Sequence, residues 1–125
     1  MQKSLIDYPK RGEIYIADLE PGFGREIRKK RPVLIISNNN LNKGTPFVVV
    51  IPTSSIVPQT VNPEMVVLGK LKGLKKKSLL LPLFVRSIDK DRLIKKVGKI
   101  SKHKLLEVEE AIKLVLGLID KDFDV

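Results

Sequence analysis

The sequence predicts a mainly β protein with a C-terminal helix: an antiparallel sheet curled into a small barrel, with the helix packed against it. Three observations carry this. Apolar runs of strand length fill the first two thirds of the chain, turn residues separate them, and the apolar spacing becomes helical only near the end.

Glu13 to Leu19 is rich in β-branched and aromatic residues and stops at Pro21-Gly22, which makes it the first strand. Pro32 to Ser37 is a continuous apolar run, the mark of a central strand buried on both faces, and Asn38-Asn39-Asn40 breaks it. Phe47 to Ile51 is a third strand of the same kind, ended by Pro52. Glu64 to Leu68 and Ser78 to Leu83 read as two more, joined into a hairpin by the lysine-rich turn Gly69 to Lys77. Leu93 to Ile100 is half polar, with lysines that suit a sheet edge. Then Leu105, Val108, Ile112 and Val115 fall at helical spacing, widened by Ala111 and Leu116. Ser101 is placed to cap the start of this helix and Gly117 to stop it, while Asp120 to Val125 is a charged tail expected to fray. Neither a repeat nor a linker divides the chain, so residues 1–125 read as a single domain.

The 24 Lys and Arg against 14 Asp and Glu give a formal charge of +10 and an isoelectric point near 9.9. Such an excess favours a polyanionic partner, because each phosphate neutralised releases a counterion. With no cysteine, disulfides, thiol nucleophiles and thiolate metal sites are excluded. Residues 1–11 hold no apolar run of signal-peptide length, and the longest apolar stretches are far too short to cross a bilayer. A soluble cytoplasmic protein without a membrane partner is the expectation.

Four segments carry residues with chemistry. The loop Glu20 to Arg31 sets Arg25, Arg28, Lys29, Lys30 and Arg31 around the acid Glu26, between glycines that let a backbone approach a ligand. On composition alone a solvated turn extension fits it slightly better. Pro52-Thr53-Ser54-Ser55 offers hydroxyls at a strand end, where they can donate to a phosphate or serve as ordinary turn residues. Arg86 follows an apolar strand and reads equally as an anion ligand or as a structural residue, paired with Asp89 or Asp91 or snorkelling at the surface. Lys70, Lys72, Lys75, Lys76 and Lys77, then Lys95, Lys96, Lys99, Lys102 and Lys104, suit backbone phosphates, but such a run is more often a solvated face, and it is assigned affinity at most, not specificity.

Several chemistries are disfavoured. His103 is the only histidine, so a two-histidine nuclease is impossible within one chain. No Asp, Glu and His set has metal-ligand spacing, and there is no phosphate-cradling or dinucleotide motif, so neither metal nor cofactor is expected. With two tyrosines, four phenylalanines and no tryptophan, stacking platforms are few; Phe23 in the basic loop is the best of them.

Lys10 to Tyr15, Asp18 to Pro21, Gly24-Arg25-Glu26 and Arg31 to Asn38 resemble, in this order, the N-terminal half of the MazF/PemK toxins. Ile51 to Ser54, Val85 to Leu93 and Val108 to Leu118 continue the resemblance over nearly the whole chain. It implies a small SH3-like barrel of the MazF/CcdB type, a homodimer, and sequence-specific cleavage of single-stranded RNA without a metal. It also implies a cognate antitoxin whose acidic tail blocks the site. The family's catalytic arginine, threonine and loop glutamate fall on Arg31, Thr53 and Glu26. Gly24, Arg25, Arg28, Phe23, Ser54 and Arg86 are then expected RNA contacts. Arg25 and Ile27 stand where the family often has serine and glutamine, which bears on the motif that is cut.

The mechanism expected from these residues is attack by the substrate's 2′-hydroxyl on the adjacent phosphate, giving a 2′,3′-cyclic phosphate and a 5′-hydroxyl end. Three other readings remain open on the sequence: a toxin of the same barrel that poisons a topoisomerase, a non-catalytic nucleic-acid-binding barrel, and an adaptor whose basic face only aids solubility.

Overall fold

The computed structural model describes residues 7–69, 74 and 77–118. The strands are β1 (Glu13–Asp18), β2 (Lys30–Ile35), β3 (Phe47–Ser54), β4 (Val66–Leu68), β5 (Ser78–Leu80), β6 (Arg86–Asp89) and β7 (Leu93–Lys99). A short helix α1 (Asn39–Gly44) follows β2, and a longer helix α2 (Lys102–Leu116) closes the described part. All strand pairs are antiparallel, in the order β4-β5-β3-β2-β1-β7, with β6 also paired to β3. The result is a mainly β, strongly curled half-barrel with a C-terminal helix, as expected.

The pleat explains the core. Alternate residues of a strand point to opposite faces, and β2 buries both sets. Leu34 joins Ile14, Ile51 and Leu80 on the face that α2 covers with Val108 and Ala111. Val33 and Ile35 join Ala17, Val48, Val50 and Ile88 on the other. The continuous apolar run in β2 is thus a central strand.

Helix α2 follows its local signals. The Ser101 hydroxyl accepts the Lys104 N–H at 3.1 Å, capping the first turn. Gly117 takes a left-handed φ of 70°, and Leu118 N–H returns to the Lys113 carbonyl at 2.8 Å to close the last turn. The predicted β4-β5 hairpin forms, and β7 lies at the sheet edge beside β1. His103 sits exposed on the first turn of α2.

Three expectations are corrected. The asparagine run after β2 starts α1 rather than only breaking the strand, because Asn38 caps it by accepting the Leu41 N–H at 2.9 Å. Buried Asn42 then bonds back to Ser37. Next, β3 continues through Pro52 to Ser54. Proline lacks a ladder donor, yet Pro52 falls where one edge of β3 passes from β6 (last pair Val50–Arg86) to β5 (first pair Thr53–Leu80). Finally, Ser78 to Leu83 divides: β5 ends at Leu80, a 3-10 turn covers Pro82–Phe84, and β6 follows as a strand not expected from sequence. The C-terminal tail and Lys70, Lys72, Lys75 and Lys76 lie outside the described residues.

Candidate functional site

β2 and β3 part company at their outer ends. Their ladder runs from Ile35–Val50 to Val33–Pro52 and stops there. Beyond it β3 turns to β5, and β2 stays with β1 through Ala17–Arg31 and Asp18–Lys30. The gap is bridged by side chains. The Thr53 hydroxyl donates to the Pro32 carbonyl at 2.8 Å. The Arg31 guanidinium donates through Nη1 to the Thr53 carbonyl at 3.3 Å, and through Nε to the Arg28 carbonyl. Strand alternation starts Arg31 on the opposite face from Thr53, but the long arginine arm wraps round the strand end to reach it.

Between the parted strands lies a hollow of about 300 Å³, lined by Lys30, Arg31, Pro32, Thr53, Ser55, Leu74 and Ser78. Two cations and three hydroxyls line it, and no acid does among the described residues. Such a lining suits an anionic oxygen: the planar guanidinium forks onto a phosphate, and hydroxyls donate to its remaining oxygens. Thr53 is only 2% exposed, so its hydroxyl is fixed in place. To donate to a ligand it must give up the Pro32 carbonyl.

A second hollow of about 290 Å³ is lined by Glu26, Ile27, Leu83, Phe84, Val85 and Arg86. Glu26 and Ile27 come from the loop, Leu83 and Phe84 from the 3-10 turn, and Val85 and Arg86 lead into and open β6. The Arg86 Nη1 is buried here without a hydrogen-bond partner among the described residues, an unusual state for a charged donor. Glu26 folds back on its own turn, where one carboxylate oxygen accepts the Phe23 N–H. Expected catalytic residues Arg31 and Thr53 therefore come together, whereas Glu26 stands with Arg86 instead.

A model of the PemK-like, MazF-like toxins of type II toxin–antitoxin systems matches residues 10–116. The chain belongs to the PemK/MazF toxin family. It is 38% identical over 114 residues to a protein of Staphylococcus epidermidis named Endoribonuclease MazF, covering 90% of this chain and 95% of that one. A protein of the same name from Staphylococcus saprophyticus is 39% identical over 110 residues, covering 87% of this chain and 92% of that one. Among solved structures, MazF of Deinococcus radiodurans superposes with a TM-score of 0.78 at 24% identity, over 89% of this chain and 98% of that one. A mycobacterial endoribonuclease in complex with its cognate antitoxin superposes at 0.72 with 26% identity, over 89% of this chain and 97% of that one.

The other residues singled out by the PemK/MazF resemblance are spread around these two hollows. Phe23 is 85% exposed, and Gly24 has a left-handed φ of 58° with open space above it. Arg25 is exposed on the same turn. Arg28 is tied to Glu20 by a 3.0 Å ion pair, which holds the Glu20 carboxyl below the usual range, aided by the Gly22 N–H. Ser54 alternates away from Thr53, and its hydroxyl accepts the Ile56 N–H at 3.1 Å in a local turn. Ser55, Ser78 and Lys30 line the first hollow instead; Ser55 and Lys30 lie in segments singled out from sequence, while Ser78 is the polar residue that sequence reasoning missed. Lys30 had a signal, its place beside Arg31; Ser78 had none, since only the β3-β5 pairing brings it near.

Among the described residues no group of three or more His, Asp or Glu side chains is arranged to hold a metal ion. None of the described helices is long and apolar enough to cross a membrane.

Proposed function

We propose that this chain is a sequence-specific endoribonuclease toxin that cuts single-stranded RNA in the cytoplasm, acts as a homodimer, and is held in check by an antitoxin with an acidic tail. The observation that carries the proposal is the shared hollow of Arg31 and Thr53, a guanidinium and a fixed hydroxyl around space for one phosphate. The basic balance of the chain supports both an RNA substrate and an acidic inhibitor. The names of its relatives point the same way.

In this reading Arg31 grips the scissile phosphate and Thr53 donates to a non-bridging oxygen as charge develops there. The 2′-oxygen of the substrate bonds to phosphorus and the bond to the 5′-oxygen breaks. The 2′-hydroxyl proton passes to Glu26, and the leaving 5′-oxygen takes a proton from the Arg31 guanidinium. Because Glu26 stands in the second hollow, this base role requires the loop to close over the bound strand. Arg86, whose buried Nη1 has no partner among the described residues, receives a neighbouring nucleotide, and Phe23, Gly24 and Arg25 lie along the path of the flanking bases, with Arg28 at the root of that loop and Ser54 beside the clamp.

The test is to mix purified protein with a long unstructured RNA in the presence of a chelator and sequence the new 5′ ends. The proposal expects cuts at a short recurrent motif, with 5′-hydroxyl ends. Intact RNA, or cutting that needs an added metal, would overturn it.

A further inference from the structure

We propose that the Glu20–Arg28 ion pair is a brace that sets the Arg31 guanidinium for cleavage, making Glu20, Arg28 and Arg92 positioning residues. This rests on the nuclease reading above, but the brace itself can be observed without activity.

The contacts form one continuous path. Arg92, in the turn before β7, donates through Nη1 to the Asp18 carbonyl at 3.1 Å and to the Glu20 carbonyl. It thereby grips β1 just beyond Ala17–Leu93, where the β1-β7 ladder ends. Asp18 Oδ1 accepts the Glu20 N–H at 3.0 Å, which fixes the root of the loop. Glu20 Oε1 then accepts the Gly22 N–H at 3.1 Å and the Arg28 Nε–H at 3.0 Å. The Arg28 carbonyl accepts the Arg31 Nε–H, and Arg31 reaches the Thr53 carbonyl. With Nε and Nη1 engaged, the Arg31 Nη2 is left without an acceptor among the described residues, beside the hollow.

Gly22 gives a second, independent line. A Cβ built there would lie 2.3 Å from Arg28 Cγ and 2.8 Å from Cδ. The arginine arm is thus laid across a residue with no side chain, and any side chain at position 22 must lift it off Glu20. An arginine reaching freely for RNA would not need that cradle. The hydrogen bond from Leu19 N–H to the Lys29 carbonyl at 3.0 Å closes the loop from behind, so a shift of Arg28 is passed to Arg31 rather than absorbed.

Positioning makes a distinctive prediction because Arg28 acts through its carbonyl, not through charge on the substrate. Glu20→Ala and Gly22→Ala should each lower kcat on a short RNA several-fold, up to about tenfold for an exposed pair. For Gly22→Ala, which changes no charge, KM and the salt dependence of binding should stay unchanged, and the double variant should lose no more kcat than either single one. In the free protein, the Arg31 Nε–H cross-peak in a nitrogen–proton NMR spectrum should be protected from exchange, and both substitutions should remove that protection without changing Tm by more than a few degrees. A raised KM with a shallower salt slope at intact kcat would make Arg28 a phosphate contact and overturn the brace. So would an Arg31 Nε–H signal indifferent to Glu20→Ala. If the native protein cuts no RNA, the nuclease reading falls, while the NMR result still decides the brace.

Discussion

The two hollows are built in opposite ways. The Arg31–Thr53 hollow is framed by strands at the point where their ladder ends, and its hydroxyl is buried and bonded. The Glu26–Arg86 hollow takes Glu26 and Ile27 from the loop and Leu83, 66% exposed, from the 3-10 turn, while Arg86 opens β6 with its buried Nη1 unpartnered among the described residues. Strand-borne groups keep their geometry, which suits stabilising a transition state whose shape is the same at every cut. Loop-borne groups adapt, which suits reading bases that differ from one site to the next. The division teaches that chemistry and choice of substrate can be altered separately in this fold.

The largest effect expected is at the strand-built hollow. Arg31→Ala should reduce kcat by about a thousandfold or more, as for loss of a main transition-state donor, with KM raised far less. Arg86→Ala should do the reverse, raising KM and broadening the set of motifs cut. Equal losses of kcat at both would break the distinction between the hollows.

Next in size is the sheet that frames the clamp. Ile51 is fully buried two residues before Thr53, in the core face covered by α2. Ile51→Ala should cost about 2–5 kcal/mol in denaturant unfolding. Truncating Leu83 at the loop-built hollow should leave the unfolding midpoint unmoved.

Glu26→Gln sharpens the comparison directly. If Glu26 is the base, kcat falls strongly and the acid limb of the pH–rate profile changes. If it serves only the second hollow, the profile keeps its shape and the motif preference moves.

A smaller effect separates the sheet from both hollows. Burial pushes the Tyr15 hydroxyl up to about 12, helped by the Glu13 carboxylate, its hydrogen bond and Asp7. A proton held more tightly in the folded state means that this contribution is fully present below the ordinary value near 10. It is lost as pH rises through about 12. Ultraviolet titration should show a tyrosine ionising in that range, absent in Tyr15→Phe. The least effect should come from Lys29, a non-glycine residue with a left-handed φ of 75° before β2. Lys29→Gly relieves that conformation and should change stability by less than about 1 kcal/mol, seen as a small shift in Tm.

Sequence was most informative where structure is local. The caps of α2, the apolar run of β2 and the β4-β5 hairpin each follow from neighbouring residues. Two misses differ in cause: one is a distant strand pairing and the other a local cap read as a breaker. Strand β6, Arg-Ser-Ile-Asp, has no apolar run of its own and is a strand because β3 offers an edge. Asn38 reads as a breaker until its side chain is seen to cap α1. At the site, Arg31 and Thr53 were legible through the ordered motif that resembles the family. Ser78 and the Glu20–Arg28 brace were not, because they arise from strand pairing and from an irregular loop whose contacts have no fixed spacing.

A cleavable RNA carrying a single 2′-deoxynucleotide immediately 5′ to the cut tests the central claim most directly. The account predicts that this one missing hydroxyl abolishes cleavage at that position, with binding retained, while the all-ribose control yields a 2′,3′-cyclic phosphate in the presence of chelator. Cleavage of the deoxy substrate at a comparable rate would contradict it.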